Sequence, residues 1–234
     1  MSVPIEELKK LCDYIDGEYV SKSGEDYINA LSEVFSLINR NDTPFTIEDV
    51  KHQPVLDDFD FSGVTDYKYI CKLHAEPMRI NSAGRRKNEK IKATDFANAD
   101  AKSIFKDKLG VSYLITCELE GKEYIIKIGS SRTSFKKRLG SYNCGVVNNW
   151  RTASTTNIKI LQSMVTTRLV YNLYLFDCSD EPYSINWHGV QSVLFASPKA
   201  LAVEDIMVKQ FIEKFGKKPL ANIQANATEI DEEE

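Results

Sequence analysis

Apolar residues recur at helical spacing near the start of the chain. Ile5, Leu8, Leu11, Cys12 and Ile15 follow Pro4 and predict a first helix. Tyr27, Leu31, Val34, Phe35 and Ile38 predict a second over residues 25–38, broken by Asn41-Asp42-Thr43-Pro44. Residues 67–73 alternate as a strand does. Residues 82–92 read as a basic, glycine-containing loop, followed by a short helix over 95–109 that Gly110 ends. From Val111 the pattern becomes that of a hairpin. One strand is predicted over 111–119 and a second over 123–128, joined by Glu120-Gly121-Lys122 and followed by the loop Gly129-Ser130-Ser131. A basic helix is predicted over 134–142, with further strands near 158–161, 169–176 and 191–195. Ser197-Pro198 pairs an N-cap with a first-turn proline, starting a helix that runs to Phe215 and stops at Gly216.

The length of 234 residues suits one or two domains. Composition is that of a soluble globular protein, with 42% hydrophobic and 27% charged residues. No apolar run is long enough for a membrane span and no signal-peptide pattern opens the chain, so a cytoplasmic location without membrane contact is expected. The five cysteines have no C-x-x-C spacing, which indicates neither a disulfide framework nor a zinc site.

The net charge of −4 hides a strong asymmetry. Residues 1–66 hold 5 basic and 15 acidic side chains; residues 67–225 hold 25 basic and 14 acidic; residues 226–234 hold five acids and no base. Between Tyr124 and Phe176 there are eight Lys or Arg and no acid. A basic middle of this kind points to a polyanion or to a solvated basic face.

Three local features carry possible chemistry. In the last helix Leu201, Val208, Phe211 and Phe215 form an apolar stripe, and Glu204 falls on it. A carboxylate there is paired, neutralised or metal-bound, or the helix is rotated so that Glu204 and Asp205 sit at the edge of the face. Arg138 and Tyr142 are four apart on one helix face, flanked by Lys136 and Lys137 and preceded by Gly129-Ser130-Ser131, a loop-to-helix junction suited to phosphate. In the hairpin, an ammonium at Lys127 beside the Tyr113 phenol would favour the phenolate. Register decides whether the two meet. A two-residue turn pairs residues summing to 241 and separates them; an odd loop gives 242 and puts both on one face, so the catalytic reading predicts the odd loop. The bland alternative is that Tyr113 is a strand aromatic.

In this order, Val111-Ser112-Tyr113, Lys127-Ile128-Gly129, an arginine helix and a later helix with a glutamate, the chain resembles the GIY-YIG nuclease family. Within it, the chain is most similar to the small type II restriction endonucleases with a Lys-Ile-Gly variant of the second motif. That likeness is carried by Lys137-Arg138-Leu139, Ser141-Tyr142-Asn143-Cys144-Gly145, Ser154-Thr155-Thr156-Asn157, Leu161-Gln162-Ser163 and Lys217-Lys218-Pro219, over about half the chain. The first triplet keeps only its tyrosine, and Ser130 stands where the relative has histidine.

The resemblance implies an α+β fold with a small central, mostly antiparallel β-sheet flanked by helices, and a largely helical N-terminal region. Residues 1–108 would form the N-terminal recognition or dimerisation element, 109–224 the nuclease domain and 225–234 an acidic disordered tail. It implies Tyr113 as general base, Lys127 lowering its pKa, Arg138 and Tyr142 on the scissile phosphate, and Glu204 as ligand of one Mg²⁺ per site, with Mn²⁺ able to substitute. DNA contacts are expected from Ser130, Arg132, Lys136, Lys137, Arg151 and Lys159 and from the loop with Arg85, Arg86 and Lys87. Asn157 either reads adenine or satisfies local backbone. Implied partners are double-stranded DNA, a second copy in a homodimer and, for a restriction enzyme, a cognate methyltransferase. A phage-encoded or homing nuclease, or a non-cleaving DNA-binding protein, are the alternatives.

Overall fold

The structure is a computed structural model that describes residues 29, 44–59, 67–83, 85–146, 154–178, 186–187, 190–191 and 199–223. The first expected helix, all of the second but Asn29, the Ser197-Pro198 helix start and Arg151 lie outside these residues. The described elements are α1 (Ile47–Lys51), β1 (Lys68–Glu76), β2 (Arg79–Ile80), β3 (Arg86–Lys87), β4 (Lys90–Thr94), α2 (Ala99–Asp107), β5 (Val111–Leu119), β6 (Lys122–Ser131), α3 (Phe135–Tyr142), α4 (Thr155–Thr167), β7 (Tyr171–Asp177), β8 (Asn186–Trp187), β9 (Val190–Gln191) and α5 (Lys199–Phe215). The fold is α+β, with a five-stranded sheet of order β4-β1-β7-β5-β6. Its β1–β4 and β5–β6 pairs are antiparallel. Among the described residues no helix is long and apolar enough to cross a membrane.

Four expectations are corrected. Residues 129–131 are not a loop but the end of β6. Residues 158–161 are not a strand but the middle of α4, whose residues from Ile158 to Val165 are buried apart from Lys159. With most of its surface inward, α4 shows no amphipathic period to separate helix from strand. The supposed loop 82–92 contains β3 and the start of β4. The helix expected from residue 95 starts at Ala99, because the side chain of Asn98 caps it by accepting from the Ala101 N–H at 2.8 Å.

The chain forms two compact units that interleave along the sequence, one of residues 1–51, 72–95 and 139–171, the other of residues 52–71, 96–138 and 172–234. In the second, α5 lays Met207, Val208 and Phe211 against Leu114, Ile125 and Ile128 of the hairpin, with Phe59 and Tyr67 completing the cluster. Phe59 meets Phe211 edge to face at 5.2 Å. The whole inner stretch of β5 is buried on both faces, so its sequence does not alternate.

In the first unit, the outer half of β1 pairs with β4 from Lys72↔Thr94 to Glu76↔Lys90. Asn143 closes the outer edge of β4, accepting from the Ile91 N–H at 2.6 Å and donating to the Ile91 carbonyl at 3.1 Å. Ser154 caps α4 through the Asn157 N–H. A β-carbon on Gly145 would lie 2.3 Å from the Asn157 carbonyl oxygen, so this close approach needs glycine. The motif residues Asn143, Gly145, Ser154 and Asn157 therefore fix how α4 begins and where it packs.

Candidate active site

The hairpin decides whether the proposed chemistry can assemble, and it does so by an unexpected route. The connection is not the odd loop. It is a two-residue turn in which Glu120 and Gly121 both have positive φ (55° and 74°), and Leu119 pairs with Lys122. That register alone would put Tyr113 and Lys127 on opposite faces. A bulge corrects it: Thr116 pairs with Ile125 but Ile115 pairs with Lys127, leaving Ile126 as the extra residue. Beyond the bulge Tyr113 pairs with Gly129, so Tyr113, Gly129 and Lys127 share one face.

Gly129 is the floor of the site. A β-carbon there would lie 2.3 Å from Cζ and 2.4 Å from Oη of Tyr113, so only glycine lets the phenol ring lie flat across β6. Phe135 meets the ring at 5.0 Å in a T-shaped contact and itself lies tilted against Phe105 at 5.8 Å. The phenol is fully buried, and Arg138, half-buried on α3, donates its Nε–H to Tyr113 Oη at 3.2 Å. A guanidinium at that distance favours phenolate. The resemblance assigns that support to Lys127; the side chain bonded to the phenol oxygen is Arg138.

Lys127 is 6% exposed and donates to the Ala221 carbonyl at 3.1 Å. Burial pulls its pKa down to about 8; the Glu204 carboxylate pushes it up, and Arg138 pushes it down further. Ala221 is held against β6 by its own N–H on the Ile126 carbonyl. Asn222 follows, accepting from the Ile128 N–H at 3.1 Å and donating to its carbonyl at 2.9 Å. Asn222 and Ala221 were missed by sequence reasoning. The Lys217-Lys218-Pro219 motif just before them was the available signal.

Glu204 is half-buried on α5 and accepts from Ser130 Oγ at 2.5 Å. It lies on the side of the helix next to Met207 and Val208, which are buried, while Asp205 is exposed. Glu204 is thus half-buried with the Ser130 hydroxyl as its partner, and Asp205 faces solvent. Among the described residues no group of three His, Cys, Asp or Glu could enclose a metal. An isolated carboxylate with a neighbouring hydroxyl nevertheless fits Mg²⁺, which takes oxygen ligands, often uses one or two carboxylates and keeps several waters.

Arg132, Lys136 and Lys137 are exposed around the same loop and helix. Tyr142, one turn beyond Arg138 on α3, is fully buried. Lys159 is half-buried with its ammonium 5.6 Å from the centre of the Phe45 ring. Arg85 and Lys87 are exposed. Of the residues expected in the site, the second unit brings together Tyr113, Lys127, Ser130, Arg138 and Glu204; Tyr142, Asn157, Lys159 and the Arg85–Lys87 segment belong to the first.

No protein-family model matches the chain, and no curated protein matches it. Among solved structures it is similar to restriction endonuclease HPY188I in complex with product DNA. The two are 25% identical, the match covers 80% of this chain and 96% of that one, and the TM-score is 0.47.

Proposed function

We propose that the chain is a divalent-metal-dependent DNA endonuclease of the GIY-YIG kind, cutting double-stranded DNA at a specific sequence as a type II restriction enzyme does. The observation that carries this reading is the Tyr113 phenol lying over Gly129 with the Arg138 guanidinium 3.2 Å from its oxygen. A buried aromatic that served packing alone would need neither the glycine floor nor the cation. Lys127, Ser130 and Glu204, named by the same motif resemblance, come together around it.

Tyr113 acts as general base on the attacking water. A free phenol near pKa 10 is a poor base at neutral pH, and the charges of Arg138 and Lys127 lower that barrier. Arg138 clamps the phosphate through donors that suit its geometry. Glu204, bonded by Ser130, would hold the Mg²⁺, which would supply neutralisation of developing negative charge. Exposed Arg132, Lys136 and Lys137 take flanking phosphates. A homodimer places one site on each strand.

Incubation with supercoiled plasmid and Mg²⁺ tests the reading. Discrete fragments support it, and binding without cleavage contradicts it. Glu204→Ala is expected to abolish cutting while DNA retention in a gel-shift assay persists. Cutting by that variant at the parent rate would remove Glu204 from the metal site.

A further inference from the structure

The segment between β1 and β4 carries a second construction. From Arg79 to Lys92 there are six basic residues and one acid, Glu89. That acid is turned inward: it is 1% exposed and accepts from Gln162 Nε2 at 3.1 Å, and Gln162, fully buried in α4, also donates to the Gly145 carbonyl at 2.7 Å. Its neighbours Asn88 and Lys90 are exposed. The base of this arm is thus tied to α4 through the Gln162 amide.

The arm itself is a short antiparallel ribbon, Arg79↔Lys87 and Ile80↔Arg86. Its turn is tied by Asn81. The Asn81 N–H bonds the Arg85 carbonyl at 3.0 Å, and its side-chain oxygen accepts from the N–H groups of Ala83 and Arg85 at 3.1 and 2.8 Å. At the ribbon's base lies a cavity of about 370 Å³, lined by Glu76, Pro77, Arg79, Asn81, Lys87, Asn88 and Lys90. Glu76 is held by Lys92 and lies 3.7 Å from Arg79, so its charge is compensated from within the arm. With one proline as its apolar member, this lining suits a polar, anionic partner and not a hydrophobic one.

We infer that this ribbon is the sequence-reading element of the protein, entering the major groove of duplex DNA with Lys87 and Asn88 on base edges and Arg85 and Lys90 on phosphates. The inference rests on the nuclease reading above. A two-stranded ribbon fits the major groove, where lysine pairs with guanine and asparagine with adenine. Reading bases requires side chains held in fixed positions, and the Glu89–Gln162 anchor and the Asn81 turn provide that support. Leu161-Gln162-Ser163, whose role the catalytic site does not explain, thereby acquires one.

The test uses the full chain carrying Glu204→Ala, which binds without cutting, to select from a random-sequence duplex library. The bound fraction is sequenced, and the selection is repeated with Lys87→Ala or Asn88→Ala added. Each added substitution is expected to relax preference at one or two base pairs by about tenfold, leaving the melting temperature nearly unchanged. Arg85→Ala should keep the motif, weaken binding to all sequences and reduce the salt slope by about one. If the Lys87 and Asn88 variants enrich the parent motif with unchanged base preferences, the ribbon is a phosphate clamp at most and the inference fails, while the nuclease reading stands. A parent that enriches no motif overturns both sequence-specific cleavage and the ribbon's role.

Discussion

The two outer strands of the sheet are closed by the same device and used differently. On β4, Asn143 pairs both its amide groups with the backbone of Ile91; on β6, Asn222 does the same with Ile128. Each covers an edge that would otherwise present unpaired backbone groups. Each is accompanied by a glycine with no room for a side chain, Gly145 against the backbone of α4 and Gly129 against the ring of Tyr113. At β4 everything these residues hold is scaffold. At β6 the tethered segment also offers the Ala221 carbonyl to Lys127, and the glycine seats the phenol. One local solution thus serves the scaffold at one edge and, on the proposed reading, the seat of the general base at the other.

Substituting the two glycines should separate these roles most sharply. Gly129→Ala forces the Tyr113 ring off β6, and misplacing a reacting group by about an ångström costs on the order of 10²-fold in rate. Single-turnover cleavage with DNA affinity measured alongside would show it. Gly145→Ala instead meets backbone, which cannot move aside as a ring can. It should lower stability by about 1–3 kcal/mol, read by urea denaturation, with the rate per folded molecule changed far less. Equal loss of rate in both variants would erase the distinction.

Lys127 tests the chemical edge by pH. Its ammonium is disfavoured by burial, so the folded chain releases that proton near pH 8 while the unfolded chain holds it to its ordinary value of 10.5. The unfolded state therefore binds more protons between these values, and stability should rise with pH across that window by about 3 kcal/mol. Lys127→Met should flatten this rise and be the more stable protein at neutral pH. Activity should move the other way in the parent, falling above about pH 8 as Lys127 loses the charge that supports phenolate.

The smallest effects come from the asparagines. Asn143→Ala and Asn222→Ala each leave a strand's N–H and carbonyl without their side-chain partner, a loss of about 1–3 kcal/mol. Only Asn222→Ala should also shift the alkaline limb of the pH–rate profile, because it loosens the carbonyl that holds Lys127.

How far the sequence foretold this arrangement depends on the kind of signal. The bounds of β5 were legible to the residue because turn chemistry frames it: Gly110, with φ 73°, precedes it and Glu120-Gly121 follows. Helix α4 was misread because burial all round erases its period. The bulge at Ile126 was invisible because Ile125 and Ile126 are both apolar and nothing in the spacing marks one of them as extra. Yet the bulge decides the site, since the turn on its own would have placed Tyr113 and Lys127 back to back. Glu204 was legible as a carboxylate out of place on an apolar stripe. Arg138's bond to Tyr113 was not, because it joins a helix to a strand 25 residues away.

The central claim is that Tyr113 is the base. Tyr113→Phe keeps the ring, its seat on Gly129 and its contact with Phe135, and removes the oxygen alone. Its single-turnover cleavage rate with saturating Mg²⁺, measured beside its DNA affinity, is the most direct test. The account predicts unchanged binding with cleavage at least about 10²-fold slower. A variant that cuts at close to the parent rate would contradict it.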